Sequence, residues 1–156
     1  MTEDTERVER IAELATKRQL RVVASESLTS GTIATRLGAG PGAASWFAGA
    51  IVAYQEPVKF AVLGVAEGPV VTRACAEQMA RGALAVLGAE VAVSCTGVGG
   101  PEPSEGKPPG TVVIAVAAAN DDVVVREMKI DGSPEAVLAE TVSRSLALLE
   151  ECLTTT

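Results

Sequence analysis

The sequence predicts an α/β fold, a three-layer α/β/α sandwich on a mixed, mostly parallel sheet, and three observations carry that prediction. The 156 residues are 47% hydrophobic but only 3% aromatic, so the core must be made of Ala, Val, Leu and Ile. That composition suits helices packed closely on a Val-rich sheet better than a β-sandwich. Short β-rich runs also alternate with stretches of helical periodicity up to Cys95. Finally, two β-rich runs meet around Asn120-Asp121-Asp122, a hairpin that supplies the antiparallel strand. With no internal repeat and no linker, one domain over residues 1–156 is expected.

In chain order, Glu3 to Gln19 reads as an amphipathic helix with Val8, Ile11, Ala12 and Ala15 on its apolar face. A strand over 20–24 follows, then a polar hinge from Ser25 to Gly31, then a helix that stops at the Gly38–Gly42 cluster of breakers. Residues 47–54 read as a second buried strand ending on the only tyrosine, and Pro57 opens a helical turn carrying Lys59. Thr72 caps a long helix from Arg73 to Leu87 that closes on Gly88. A strand over 90–95 runs into the Gly/Pro-rich stretch 96–110, which cannot be regular structure. Strands at 111–118 and 123–130 come next, and Ser133-Pro134-Glu135 opens the last helix.

Thirteen basic against 20 acidic residues give a net charge of −7, which argues against a nucleic-acid or anionic-membrane partner. Cys75, Cys95 and Cys152 share no metal-ligand spacing and suit a reducing compartment. The opening Met-Thr-Glu-Asp-Thr-Glu is no signal segment and no run is long enough to span a membrane, so a soluble, cytoplasmic protein is expected. There is no histidine. A Ser-His-Asp triad, a Cys-His pair and any His-ligated metal are therefore excluded.

The hinge Ser25-Glu26-Ser27-Leu28-Thr29-Ser30-Gly31 reads first as a helix N-cap and its loop. It also has the form of a nucleophile turn, where a serine leaves the sheet edge beside the free N–H groups of a helix start. Lys59 has apolar neighbours that would lower its pKa toward that of a general base, although an exposed lysine paired with Glu56 is the plainer reading. The loop at 96–110 satisfies neither the dinucleotide fingerprint nor the P-loop, and its length marks it as ligand-contacting or disordered. Ser104-Glu105-Gly106-Lys107 spells S-x-x-K in a flexible loop, which is a chance match.

Several dispersed motifs fall in one register. They are the hinge itself, Pro41-Gly42, Tyr54 with Lys59, Met79-Ala80-Arg81-Gly82-Ala83, Thr96-Gly97-Val98-Gly99-Gly100-Pro101 and Lys107-Pro108-Pro109-Gly110-Thr111. Together they resemble the CinA C-terminal domain family, which includes stand-alone nicotinamide mononucleotide deamidases. The resemblance implies an α/β/α sandwich and a Ser-Lys amidohydrolase, with Ser27 as nucleophile and Lys59 as general base. It further implies a substrate site from Glu26, Thr29, Gly31, Tyr54, Thr96, Gly97, Gly99 and Gly100, a small pyridine nucleotide as ligand, no cofactor or metal, and a homo-oligomer. The alternative is a catalytically silent CinA-like domain that binds a ligand or assembles with itself.

The chain departs from the family pattern at several places. Ala43 and Ala44 replace two serines that could relay a proton, and Gln55-Glu56 brings a carboxylate near Lys59 that would keep it charged. Leu28 and Ser30 replace Cys and Gly in the hinge, and Arg73 replaces a glutamate. Pro134 and Leu138 occupy the region where phosphate-suited arginines are usual, leaving Arg144 as the nearest.

Overall fold

All five residues of Val22–Glu26 are buried, so this strand has a covered face on both sides and must sit inside the sheet. A computed structural model, which describes residues 2–155, places it so. The elements are α1 (Glu3–Arg18), β1 (Val22–Glu26), α2 (Thr32–Gly38), α3 (Ala43–Trp46), β2 (Phe47–Val52), α4 (Glu56–Leu63), α5 (Arg73–Leu87), β3 (Val91–Gly97), β4 (Thr111–Ala118), β5 (Val123–Lys129) and α6 (Pro134–Thr155). The sheet order is β2-β1-β3-β4-β5. β1 runs parallel to β2 and β3, while β4 is antiparallel to both β3 and β5. Only β4 therefore opposes the common direction, and the sheet is mixed and mostly parallel in sense.

Alternate strand residues feed two cores. Val22, Ala24, Val91, Val93, Cys95, Val112, Ile114 and Val116 face a layer built from α1, α2, α3 and α6. Val23, Ala92 and Ala117 face α4 and α5, whose contacting residues include Leu63, Met79, Ala80 and Ala83. Small side chains let α5 lie close to the sheet. Two strand hydroxyls bridge the gap, Ser25 Oγ donating to the Met79 carbonyl at 2.9 Å and Ser94 Oγ to the Ala76 carbonyl at 2.6 Å.

The structure moves several expected boundaries. β1 begins two residues later than predicted, because Gln19 takes the left-handed conformation and the Leu20 amide still closes α1 on the Ala15 carbonyl. β2 is the sheet edge and is only half-buried, not a buried strand, and it ends at Val52. The four-residue α3 was not predicted, being too short to have a period. β3 continues to Gly97 and β5 stops at Lys129. Ser133 Oγ accepts the Ala136 amide at the start of α6.

Helix α5 matches its predicted limits. Thr72 Oγ1 accepts the Cys75 amide at 3.0 Å, and Gly88 closes the other end with φ +64°. Thr72→Ala is expected to lower stability by about 1 kcal/mol, read from the midpoint of urea unfolding.

Candidate active site

Parallel pairing of β1 with β2 in the register Glu26↔Val52 makes the residues just beyond each strand neighbours. The Ala53 amide continues the ladder to the Glu26 carbonyl at 2.8 Å. The chain leaving β1 enters the turn that carries Ser27, and the chain leaving β2 enters α4, which carries Lys59. Lys59 lies on the second turn of α4, and helical side chains lean toward the N-terminus, so its amine is carried back to the strand ends. Its Nζ donates to Ser27 Oγ at 2.9 Å, to the Ala53 carbonyl at 2.8 Å and to the Tyr54 carbonyl at 3.0 Å. Ser27 is 7% exposed and Lys59 2%.

Burial lowers the pKa of Lys59 below its ordinary value, because the ammonium loses its hydration. Cys75, Glu56, Cys95 and Glu105 pull the other way, more weakly. The two thiols do little at neutral pH: burial pushes Cys75 and Cys95 up to about 11, so both stay protonated. Glu56 is exposed and makes no ion pair with Lys59 among the described residues, so the expected Glu56–Lys59 pairing is not formed.

Other expected substrate contacts are placed differently. Glu26 and Thr29 are fully buried. The Glu26 carboxylate turns inward onto the start of α2, accepting Thr29 Oγ1 at 2.6 Å and the amides of Gly31, Ile33 and Ala34 at 3.2, 3.0 and 2.9 Å. The helix start that was expected to hold a developing negative charge is therefore already filled. Gly31 holds φ +96° to turn the chain into α2, a conformation that penalises a Cβ. Tyr54 exposes its ring (64%) and offers the lysine only its carbonyl. Thr96 is buried, with its hydroxyl donating to the Val70 carbonyl at 2.8 Å.

Gly97 ends β3 opposite Val112, and Gly99 faces Leu28, where an added Cβ would fall 3.9 Å from that side chain. Gly100 borders Pro109 and Pro134. The loop is ordered, not loose. Glu105 accepts the amides of Val70 and Val71 at 2.8 and 2.9 Å, Lys107 Nζ donates to the Val71 carbonyl, and residues 104 and 107 bridge. Among the described residues, no hydrogen bond within the chain takes up the amides of Leu28, Gly99 or Gly100.

The family departures also find places. Leu28 is 9% exposed and joins the α1–α6 core, and Ser30 holds φ +50° where the family pattern has glycine. Ala43 and Ala44 lie in α3, before the end of β2 that pairs with Val22. That is the far end of β1 from Ser27, about 16 Å along the strand, so serines there could not relay a proton to Ser27 within one chain. Arg73 is exposed. Arg144 pairs with Glu140 at 2.7 Å, about 15 Å along α6 from its start beside Gly100.

Sequence reasoning missed the carbonyls of Ala53 and Tyr54 as partners of the amine, since backbone groups carry no residue signature. It also missed Cys95, whose thiol meets Thr29 Oγ1 at 3.2 Å and is faced by the backbone amides of Ser27 and Thr29. A cavity of about 290 Å³ lies at the opposite sheet edge, between Val91, Val116, Val123 and Leu153. Its lining is chiefly aliphatic, with Asp122, Cys152 and Thr155 as its polar groups. Among the described residues no three His, Cys, Asp or Glu side chains gather to hold a metal, and no helix is long and apolar enough to cross a membrane.

The layers, the strand order and a polar cluster at the carboxyl edge define an α/β/α domain with its chemistry-bearing groups where strands hand over to helices. The chain belongs to the CinA C-terminal domain family, whose model matches residues 4–153. A crystal structure of a competence-damaged protein (CinA) superfamily protein from Klebsiella pneumoniae is 30% identical, with TM-score 0.93, covering 99% of this chain and 100% of that one. The competence/damage inducible protein CihA from Agrobacterium tumefaciens is 33% identical, with TM-score 0.92 over 99% and 98% of the two chains. A putative competence-damage inducible protein of Geobacillus kaustophilus is 36% identical over 155 residues, 96% of this chain. This chain spans only 36% of that relative's length.

Proposed function

We propose that this domain is an amidohydrolase that converts nicotinamide mononucleotide, or a related pyridine carboxamide, to the acid and ammonia through Ser27 and Lys59. The observation that carries the proposal is the buried 2.9 Å contact between Lys59 Nζ and Ser27 Oγ, made by a lysine whose pKa burial has lowered. A neutral amine has two N–H groups and one lone pair. With the N–H groups held by the carbonyls of Ala53 and Tyr54, the lone pair is left to face Ser27 Oγ. The two carbonyls orient the base much as a carboxylate orients histidine in a Ser-His-Asp triad.

In this scheme Lys59 takes the Ser27 proton as Oγ attacks the carboxamide carbon, then passes it to the departing ammonia. Water attacks the resulting ester with Lys59 again as base, releasing the acid and restoring Ser27. The oxyanion is assigned to the untaken amides of Leu28, Gly99 and Gly100, since the α2 start is filled by Glu26. The substrate class comes from the family resemblance.

The test is ammonia release from nicotinamide mononucleotide by the purified protein beside its Ser27→Ala variant. The wild type is expected to turn over and the variant to lose roughly 10³-fold or more in kcat. Equal release by both proteins sinks the serine mechanism. Calorimetric nucleotide binding without turnover would favour a silent ligand-binding domain instead.

A further inference from the structure

The Glu26 carboxylate is an unusual way to cap a helix. The ordinary device is a Ser, Thr, Asp or Asn at the cap position itself, contributing one oxygen to one amide. Here the cap residue, Gly31, supplies no side chain, and the seven-residue α2 is capped from the last residue of a strand five positions upstream. A fully buried carboxylate also carries a heavy desolvation cost, which must be offset by donors. Four donors do so: Thr29 Oγ1, and the amides of Gly31, Ile33 and Ala34. That is heavy provision for two turns of helix, and its geometry points to a different purpose. The carboxylate binds its own chain at residues 29, 31, 33 and 34, closing a ring around the segment that begins with Ser27.

A second set of contacts holds the same segment from the sheet side. The Cys95 thiol on β3 meets Thr29 Oγ1 and is faced by the amides of Ser27 and Thr29. Thr29 thus joins the carboxylate to the neighbouring strand. Ser27 thus begins a turn tied to β3 through the Thr29–Cys95 contact and closed on itself by the Glu26 ring, while Lys59 arrives independently from α4. A serine on a loose turn would sample many positions relative to an amine fixed by two carbonyls, and misplacement by about 1 Å can cost roughly 100-fold in rate.

We propose that Glu26 is the positioning residue of the Ser27–Lys59 pair, its buried carboxylate fixing the 27–31 turn so that Ser27 Oγ stays within hydrogen-bond reach of Lys59 Nζ. This inference rests on the assignment of Ser27 as nucleophile. The Glu26 carboxylate bonds to neither the Lys59 amine nor the Ser27 hydroxyl and acts only through the turn.

The experiment compares wild type, Glu26→Gln and Thr29→Val. Each is assayed for ammonia release from nicotinamide mononucleotide across pH, for the rate of Ser27 labelling by a fluorophosphonate followed by intact mass, and for Tm. Glutamine keeps the shape of the side chain but turns an N–H₂ toward an amide donor. Thr29→Val keeps the carboxylate and removes the link to Cys95, so it provides a test if Glu26→Gln does not fold. The expected result is a loss of about tenfold or more in kcat and in labelling rate, with KM within about twofold and the acid limb of the pH profile unmoved. A lowered Tm with kcat and labelling at wild-type level in the folded variants reduces Glu26 to a helix cap and overturns the proposal. If wild-type Ser27 labels but no carboxamide is hydrolysed, the substrate assignment fails while the labelling rates still decide the role of Glu26. Absence of wild-type labelling overturns both.

Discussion

Lys59→Met removes the proposed base while nearly conserving volume, and its expected result is a fall in kcat of roughly 10²–10⁴-fold with the fold retained. Wild-type activity should fall away as pH drops through the lowered pKa of Lys59, because protonation occupies the lone pair aimed at Ser27. The same group leaves a mark on stability. Below its folded-state pKa, both folded and unfolded chains hold the proton and Lys59 contributes no slope. Between that pKa and the ordinary 10.5 the unfolded chain alone holds it, so unfolding takes up a proton and stability rises with pH. The Met variant should lack that rise. Urea midpoints of the two proteins over a pH series approaching 10.5 measure the difference, and parallel curves would mean that Lys59 titrates as it does in water.

Gly82→Ala should give a large stability loss from a single methyl group. A Cβ at residue 82 would fall 2.1 Å from the Leu63 carbonyl oxygen and 2.8 Å from its carbon, so the end of α4 and the middle of α5 cannot both stay in place. Overpacking against backbone costs about 3 kcal/mol, near 10 °C in Tm for a domain of this size. Lys59 lies only one turn before Leu63 on α4, so any shift that relieves the clash also moves the amine. Calorimetry together with the ammonia assay tests both effects. An unchanged Tm would show that α4 and α5 separate freely.

Much of this was legible in the residues, for reasons that differ from place to place. Thr72 and Gly88 bounded α5 because caps are local chemistry, and the α1 core face followed from spacing alone. The Met79–Ala83 motif could be recognised but not explained until Gly82 was seen against Leu63. Ser27 and Lys59 were selected by resemblance. Their meeting depends on a parallel register between β1 and β2 that no periodicity encodes, Lys59 following Ser27 by 32 positions. The inward turn of the Glu26 carboxylate was not legible, because only the tertiary structure reveals the four donors that make its burial tolerable. The bond from the Thr96 hydroxyl to the Val70 carbonyl was hidden for the same reason.

The antiparallel β4 has a consequence for how the domain can vary. Because Gly97 pairs with Val112, the Val98 amide donates to the Thr111 carbonyl and the Gly110 amide donates to the Val98 carbonyl, the loop leaves and re-enters the sheet at the same point. Its ends are held by the strand ladder whatever lies between them. Lengthening such a segment is thermodynamically mild, about 0.6 kcal/mol for each doubling of a flexible loop. Residues between Gly100 and Pro109 can therefore change in number beside an unaltered Ser27 and Lys59, at the cost of the Glu105 and Lys107 contacts to Val70 and Val71.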